Sequence, residues 1–558
     1  MKKLTIFAGI LLIAAQIAQA KTVNVFHTSD VHGSYFSRKI GKYAAETIGE
    51  ENIDRKIGGF AALKAMLKQE KDPYIMVDAG DMFQGTPEGI FSKGIASINY
   101  MNKVGYSLAV PGNHEFDYSQ QTVIDMAKKA KFPILAANLY IEGTNDRPKW
   151  VKPYIIIKKA GVKIAFFGIM GQHTKTSSNP KNTEGLEIRN EIEESKKIVA
   201  EIKAKENPNA IICVVHLGTD EHFERQIIPT LPDYVTEGCR SCTRLYPNGY
   251  PKENGHYIDE RFFPNGIIHL GRAVPEVDVF LGGHHHTGLI NGYSDINQDK
   301  ENLDHRQYYG EAYTNLMFAD KAELNFNDET GKLESVKMGL VPLWLEKYGE
   351  DKGILKMNEK LKKSVDATML EKAGYSEGPL SYSDEGLDSK IGNWICDLTR
   401  EAAGTQMGFQ NSGGIRVPLP QGEIKIGDLY RVMPFDNTII TMKMTGKALK
   451  RMIAESYNDE KAGMQISGLK VEILPVGKDG KHDFRLYDDI GKLIEDSDVY
   501  NIATNSYLAE GGNLGAAFKE EGTEKHDTKI GFRDYMIQSL KKGNLPEQKT
   551  GRYVRVDQ

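Results

Sequence analysis

Five short apolar segments of this chain are each followed closely by side chains that bind divalent metal ions. The segments are rich in β-branched or aromatic residues and are bounded by Gly or Pro, which is typical of buried strands. In open α/β sheets, binding sites form where the carboxyl ends of the strands meet the loops. The side chains in question are Asp30, His32, Asp81, Asn113, His216, His284 and His286. The pattern therefore predicts one sheet edge that gathers carboxylates, an amide and imidazoles, as in a dinuclear metal centre.

The size and composition of the chain indicate a globular protein of two domains. A length of 558 residues exceeds what one hydrophobic core usually supports. Hydrophobic residues make up 40% and charged residues 26%, and the net charge is only -5. Without a basic face, binding of a nucleic-acid polymer is not expected.

The first twenty residues have the features of a signal peptide. Met1-Lys-Lys3 supplies a positive start, Leu4 to Ile17 is almost wholly apolar, and Ala18-Gln-Ala20 has the small-x-small form of a cleavage site. A membrane anchor would need about 20 apolar residues, and this stretch is shorter. We expect cleavage after Ala20, a periplasmic or secreted mature protein, and no stable membrane insertion.

The four cysteines give little further information. Cys239 and Cys242 lie in a polar stretch, where an oxidising compartment favours a local disulfide over the alternative of a zinc half-site. Cys213 and Cys396 lie within apolar or helical patterns, and we expect both to be core residues.

The pattern of the chain changes near residue 345. From Lys21 to Trp344, strand-like runs alternate with amphipathic stretches, which indicates sheet layers covered by helices. Residues 234–271 interrupt the alternation and are predicted to be a surface insertion. We expect a signal peptide at 1–20, a catalytic domain at 21–345, a linker helix at 346–373, and a smaller α+β substrate-binding domain at 374–558.

The predicted ligand set indicates which metals the site would hold. Carboxylate, imidazole and amide oxygen suit zinc, manganese or iron. No thiolate joins the set, which argues against a structural zinc site, and a calcium site would lack imidazoles. His27 and His269 also follow apolar residues, but a single histidine of this kind is more often a structural residue.

These motifs resemble the calcineurin-like metallophosphoesterases and, more narrowly, the exported bacterial 5'-nucleotidase family. The resemblance implies a four-layer α/β/β/α sandwich and two divalent metal ions. It implies that the first ion is held by Asp30, His32, Asp81 and His286. It implies that the second is held by Asp81, Asn113, His216 and His284, so that Asp81 bridges the two. Family members often have Gln or Asn at the position of His286, and His285 is expected to point elsewhere.

His114 and Asp117 resemble the catalytic dyad of the same family. In that family the dyad stabilises the transition state or assists the leaving group. A carboxylate three residues after the imidazole can orient it and keep it cationic. The alternative is that His114 only packs beside Asn113.

Three C-terminal segments resemble the family's substrate-binding loops. Gln410-Asn-Ser-Gly-Gly-Ile-Arg416 resembles the Asn-Gly-Gly-Gly-Ile-Arg motif, and an arginine binds phosphate oxygens in a bidentate manner. The other two segments contain Phe435 and Tyr507, and the resemblance implies that these aromatic rings lie on either side of a nucleobase. The implied substrate-binding residues are Asn411, Arg416, Phe435, Asn437, Tyr507 and Asn513.

The resemblance predicts a small-molecule nucleotide substrate, most simply a nucleoside 5'-monophosphate. Some positions depart from the 5'-nucleotidase pattern. Tyr507 stands in place of Phe and Asn513 in place of Asp. The acidic residues Asp384, Glu385 and Asp388 stand where the family tends to carry arginines. The alternatives are hydrolysis of 2',3'-cyclic nucleotides and 3'-nucleotides, hydrolysis of sulfur esters of the thiosulfate-oxidising type, and an inactive nucleotide-binding protein.

Overall fold

A computed structural model describes most of the chain. The described residues are 21–40, 48–219, 225–229, 252–253, 256–257, 266–296, 306–381, 387–457, 463–477 and 481–556. The expected signal peptide, the Cys239 and Cys242 pair, and Asp384 and Glu385 lie outside them. Within the described part, no helix has the length and apolar character needed to cross a bilayer.

The N-terminal half is built on two large mixed sheets. The order of strands in the first sheet is Leu333–Pro342, Phe318–Phe326, Lys21–Thr28, Tyr74–Asp78, Leu108–Ala109, Ile134–Leu135 and Val151–Lys152. The order in the second is Tyr293–Ile296, Arg306–Glu311, Val279–Gly282, Ala210–His216, Val162–Met170 and Tyr154–Lys159. The central strands of each sheet are parallel, so their carboxyl ends share one edge.

The two sheets pack face to face and are covered on the outside by helices. Val25 of the first sheet and Phe166 of the second belong to one buried apolar cluster, together with Leu63 and Ile98 from helices. A second cluster joins the outer face of the second sheet to other helices. The helices of this half are Gly59–Leu67, Pro87–Phe91, Ile95–Val104, Gln120–Lys129, Thr174–Ser177, Glu191–Glu206, Ile267–Ala273 and Leu345–Tyr348. The predicted four-layer α/β/β/α sandwich is confirmed.

Shorter elements complete the N-terminal half. Two-stranded pairs join Arg38–Lys39 to Lys56–Ile57, Leu139–Ile141 to Leu186–Ile188, Ile227–Ile228 to Gly288–Leu289, and Lys252–Glu253 to His256–Tyr257. Short 3₁₀ helices span Glu50–Asn52, His114–Phe116 and Pro180–Thr183.

The end of the predicted surface insertion is in fact part of the core. Residues 267–271 lie in the helix Ile267–Ala273, in which Ile267, Ile268 and Leu270 are buried against the second sheet. This helix is too short for its periodicity to stand out beside the Gly- and Pro-rich stretch that precedes it. The prediction of an irregular surface segment was wrong for these residues, and most of the remainder lies outside the described part.

The connection between the halves is shorter than the predicted linker helix. The helix Lys352–Met369 starts where Asp351 Oδ1 accepts a hydrogen bond from Ile354 N (2.9 Å), and a strand already begins at Lys372. Its first turn is buried in the N-terminal core through Ile354, whereas Val365 and Met369 are buried in a C-terminal core. One amphipathic helix is therefore anchored in both halves.

The C-terminal half is a separate α+β unit. Its five-stranded sheet has the order Met464–Ser467, Met407–Asn411, Val499–Asn505, Thr438–Thr445 and Thr523–Gly531. Smaller sheets comprise His482–Asp488, Leu469–Val476 and Tyr553–Arg555, and Lys372–Ser376 with Gly422–Lys425. The helices are Lys390–Ala403, Ile426–Val432, Gly446–Ser456, Ser506–Ala509, Ala516–Glu521 and Phe532–Lys542, with a 3₁₀ helix at Ser412–Gly414. Cys213 and Cys396 are both buried, as predicted.

Glu115 ties together two of the loops at the common sheet edge. Its buried carboxylate accepts hydrogen bonds from the backbone N–H groups of Asp81 (2.9 Å), Met82 (2.8 Å) and Gly112 (2.7 Å). A buried N–H without an acceptor is costly, so this single side chain satisfies the backbone of both loops.

We predict that Glu115→Gln destabilises the protein by about 2–3 kcal/mol, because an amide NH₂ would face backbone donors that lose their acceptor. The free energy of unfolding from urea denaturation measures this. Glu142→Gln, at an exposed glutamate, is the matched control and should change the free energy by less than about 0.5 kcal/mol. Equal stability of the two variants would contradict the role assigned to Glu115.

Candidate metal centre and substrate cavity

The structure brings the seven predicted ligands to the shared edge of the two sheets. Asp30 and Asp81 follow the parallel strands Lys21–Thr28 and Tyr74–Asp78 of the first sheet, whereas His216 ends a strand of the second. Their side chains meet because each strand points its carboxyl end into the same region.

The first group of ligands consists of Asp30, His32 and His286, whose ligand atoms all lie within 4.8 Å of one another. His32 Nε2 lies 2.9 Å from His286 Nε2, and His286 Nε2 lies 3.6 Å from Asp30 Oδ1. His32 Nδ1 donates to the carbonyl oxygen of Gln84 (2.6 Å), so the lone pair of a neutral His32 is on Nε2. Both imidazoles thus present a nitrogen to the same point.

The second group consists of Asp81, Asn113, His216 and His284. His216 Nε2 lies 3.2 Å from Asp81 Oδ2 and 3.2 Å from Asn113 Oδ1, and His284 Nδ1 lies 3.1 Å from the same amide oxygen. His216 Nδ1 donates to Ala79 O (2.7 Å), which orients the ring. Asp81 Oδ2 is also 3.9 Å from His32 Nε2, so this carboxylate lies between the two groups.

Five of the seven ligands have a backbone conformation that L-residues rarely adopt. The φ angles are 51° at Asp30, 48° at His32, 58° at Asp81, 76° at His284 and 58° at His286. Left-handed conformations of this kind concentrate at functional sites, where the surrounding structure compensates for their strain. The loops are therefore shaped to present these side chains.

The pKa values of the buried imidazoles and carboxylates are consistent with a site for a cation. Burial lowers the pKa of His32 to about 3 and lowers those of His284 and His286 well below the usual range, so these rings are neutral. Burial raises the pKa of Asp30 to about 7. Burial alone would lower the pKa of His216, but Asp81 raises it to about 10. His216 is therefore protonated beside the Asp81 carboxylate, at a place where a metal cation could supply the positive charge. Neutral imidazoles and buried carboxylates around one space fit a divalent cation.

His114 and Asp117 form the predicted pair beside this cluster. The 3₁₀ helix His114–Phe116 turns the two side chains to the same side, and His114 Nδ1 lies 2.7 Å from Asp117 Oδ2. Burial would lower the pKa of His114, but the carboxylates of Asp117 and Asp81 outweigh it and raise the pKa to about 9. At neutral pH the imidazole is therefore a cation and a hydrogen-bond donor.

A cavity of about 740 Å³ joins this cluster to the C-terminal half. All six residues proposed from the C-terminal motifs line it: Asn411, Arg416, Phe435, Asn437, Tyr507 and Asn513. The Phe435 ring stacks near His114, with centroids 6.0 Å apart, and the Arg416 guanidinium lies 5.9 Å from the Phe435 centroid. The structure thus brings the two predicted sets of residues together at one cavity.

Hydrogen bonds join the two halves, and Tyr507, which lines the cavity, makes one of them. The Tyr507 hydroxyl donates to the carbonyl oxygen of Thr176 (2.6 Å) and accepts from Asn513 N (2.9 Å). Gln84 Nε2 donates to Pro434 O (2.8 Å). The hydroxyl that distinguishes Tyr507 from phenylalanine therefore contacts the opposite half.

Two residues at the site were missed from the sequence. Arg225 lines the cavity beside His285 and His286, although it follows no recognised motif. His173 lies against His284, with ring centroids 3.9 Å apart. It follows the apolar strand Val162–Met170, so the rule that identified the other ligands also applies to this strand.

The remaining candidates have other surroundings. His27 is buried with its Nδ1 3.5 Å from Asp320 Oδ2, as expected for a structural residue. His285 lies outside the three groups of ligand atoms found among the described residues, although it lines the cavity wall. Asp388 is buried and accepts hydrogen bonds from the backbone N–H groups of Gly551 (2.9 Å) and Arg552 (3.1 Å). Its carboxylate therefore serves the C-terminal fold rather than the cavity.

Comparison with known proteins agrees with this arrangement. Residues 23–288 match the calcineurin-like phosphoesterase family, and residues 372–520 match the C-terminal domain of 5'-nucleotidases. The chain is 26% identical over 529 residues to a 5'-nucleotidase of Vibrio cholerae, which covers 88% of this chain and 85% of that protein. It is 24% identical over 546 residues to protein UshA of Escherichia coli, which covers 91% and 88%.

A solved structure shows the same fold across both halves. The 5'-nucleotidase precursor from Thermus thermophilus has a TM-score of 0.73 at 23% identity, over 96% of this chain and 100% of that one. The two matched domains, in this order, carry the ligand cluster and the cavity respectively. The chain therefore belongs to the calcineurin-like metallophosphoesterases with a 5'-nucleotidase C-terminal domain, a family of phosphoric monoester hydrolases.

Proposed function

We propose that the protein is an exported, metal-dependent phosphoesterase that hydrolyses nucleoside 5'-monophosphates to nucleoside and phosphate. The observation that carries this proposal is one cavity that joins two groups of metal ligands to two arginines and two aromatic rings. Two divalent ions, zinc, manganese or iron, would be held by the ligand groups on either side of Asp81. The catalytic domain would end at residue 345, and the substrate-binding domain would begin after residue 373.

The ligand groups and the dyad have distinct roles in this reaction. Divalent ions, when bound, would supply an activated water molecule and polarise a phosphoryl oxygen. Asp81 lies between the two groups and would help to hold both ions. His114, kept cationic by Asp117, donates a hydrogen bond or proton to the phosphate or to the departing oxygen. Asp117 orients the imidazole through the 2.7 Å contact with Nδ1.

The cavity suits a phosphate attached to a nucleoside. Arg416 and Arg225 add positive charge near the ligand groups, which balances the dianion of a phosphate monoester. Arg225 would supply a second arginine, although acidic residues stand at the positions before Lys390 where the family tends to carry arginines. Phe435 and Tyr507 offer flat apolar surfaces for a base, and Asn411, Asn437 and Asn513 offer donors and acceptors for the base and sugar.

Export is proposed from the N-terminal pattern and supported by the description of the Thermus thermophilus relative as a precursor. We predict that the mature protein, isolated from its own host, begins at Lys21, because Ala20 completes the cleavage motif. Mass spectrometry of the intact protein measures this, with the Ala20→Asp variant as control for cleavage at this position. Recovery of a chain that still carries Met1 to Ala20 would contradict export by this route.

We predict different effects for loss of a metal ligand and loss of the dyad. Asp81→Ala should abolish phosphate release and also lower the amount of bound metal, because the shared carboxylate is lost. His114→Ala should lower kcat by about 10²- to 10⁴-fold, the usual contribution of a positioned acid, and leave bound metal unchanged. Phosphate release and elemental analysis measure the two effects.

The matched control for the first variant is Asp125→Ala, at an exposed helical aspartate. It should retain both metal and activity. Undiminished hydrolysis by Asp81→Ala would refute the metal centre, whereas loss of metal from His114→Ala would show that His114 is not confined to the catalytic dyad.

We predict that 5'-AMP is a better substrate, by kcat/KM, than 3'-AMP or 2',3'-cyclic AMP. Because Phe435 stacks on the base, Phe435→Ala should raise KM for 5'-AMP by about 5- to 150-fold, which corresponds to about 1–3 kcal/mol of stacking. KM for ribose 5-phosphate, which has no base, should not change. Phe91→Ala, at a half-exposed phenylalanine, is the control and should match the parent enzyme.

The same substrates, together with a sulfur ester, separate the alternatives. Preference for cyclic or 3'-phosphates would favour the cyclic phosphodiesterase and 3'-nucleotidase. Hydrolysis of a sulfur ester in place of every nucleotide would favour the thiosulfate-oxidising type. Nucleotide binding without turnover under any divalent ion would favour an inactive binding protein.

A further inference from the structure

A sixth strand ends at the metal centre and carries a histidine that no motif assigns. The strand Val162–Met170 lies beside Ala210–His216 in the second sheet and runs parallel to it, with Met170 opposite His216. Residues Gly171 and Gln172 then lead to His173. The strand that delivers His216 therefore has a neighbour that delivers a second imidazole to the same edge.

The ring of His173 lies close to the rings of two predicted ligands. Ligand atoms of His173, His216 and His284 all lie within 4.8 Å of one another. The His173 ring centroid is 3.9 Å from that of His284 and 6.2 Å from that of His216. Three imidazoles thus lie close together, and two of them belong to the second group of predicted ligands.

Both ring nitrogens of His173 are buried, and neither makes a hydrogen bond to any described residue. A buried imidazole with neither nitrogen satisfied is costly, because both nitrogens are polar and have lost their contact with water. A cation held by His216 and His284 would satisfy one of the two ring nitrogens of His173.

The backbone holds His173 in this place. The carbonyl oxygen of His173 accepts hydrogen bonds from Thr176 N (2.9 Å) and Ser177 N (2.8 Å) at the start of the helix Thr174–Ser177. A Cβ added to Gly171 would lie 2.1 Å from His173 Cε1, so the ring occupies space that only glycine leaves open. The backbone hydrogen bonds and the space at Gly171 therefore fix the position of the His173 ring.

We propose that His173 is a further ligand of the second cation, beside His216 and His284. The proposal rests on the metal centre of the proposed function. It gives the second position three imidazoles with Asn113 and Asp81, whereas the first has two imidazoles and two carboxylates. Nitrogen-rich sites favour zinc or cobalt over manganese and magnesium, so the two positions differ in metal preference.

The direct test counts imidazoles in the unmodified protein. Protein labelled with ¹⁵N-histidine is loaded with two equivalents of ¹¹³Cd²⁺, and the ¹¹³Cd–¹⁵N couplings are counted by NMR. Three coupled imidazoles on one cadmium and two on the other support the proposal. Two on each overturn it while leaving the metal centre intact, and failure to bind cadmium at all overturns both.

A variant separates ligation from stacking. His173→Phe keeps an aromatic ring beside His284 but removes both nitrogens. We expect one coupling to disappear and the affinity of one position for Zn²⁺, measured by chelator competition, to fall at least about 10- to 100-fold, since loss of even outer-shell partners has this effect. An unchanged coupling count and affinity would show that His173 only stacks.

The matched control is His526→Phe, at an exposed histidine of the C-terminal sheet. It should leave both the coupling count and the zinc affinity unchanged. If His173→Phe does not fold, Gly171→Ala provides a second variant, because its added methyl group displaces the ring. Loss of the same coupling in Gly171→Ala supports ligation, and its retention counts against it.

Discussion

The shared carboxylate of Asp81 is the contact on which the site depends. It lies between the two groups of ligands, accepts a hydrogen bond from the backbone N–H of His114 (2.9 Å) and raises the pKa of His216 against the effect of burial. Its own backbone N–H is bound by Glu115, which also binds the neighbouring loop at Gly112. The geometry of the centre thus rests on a buried negative charge whose loop is held by a second buried carboxylate.

Burial gives this cluster its chemical character. Neutral imidazoles, carboxylates with displaced pKa values and a cationic His114 coexist because burial disfavours a charged group unless an opposite charge lies nearby. The C-terminal half is in contact with the half that holds the ligands, since Tyr507 and Pro434 form hydrogen bonds with Thr176 and Gln84. The metal ligands and the substrate residues therefore form one environment, although they come from different halves of the chain.

Sequence reasoning succeeded where a short segment carries its own signal. The strand-end pattern identified seven side chains that the structure gathers at one edge, and the fold class followed from the alternation of elements and the family resemblance. It failed where the signal depends on distant residues. Arg225 has no motif around it, and the helix Ile267–Ala273 is too short to show its periodicity. His173 escaped notice because it stands in no family motif, although its strand follows the same rule.

The order of residues along the chain determined which side chains stand at strand ends, and parallel strands oblige such ends to meet. That is a local property, since hydrophobic periodicity and tight turns can be read within a few residues. Three features depend on the tertiary structure alone. They are the nitrogen of His32 that faces His286, the burial of Glu115 against the backbone of Asp81, and the position of Phe435 beside His114. These features depend on distances between segments far apart in the chain, and such distances are set by the packing of whole sheets and domains.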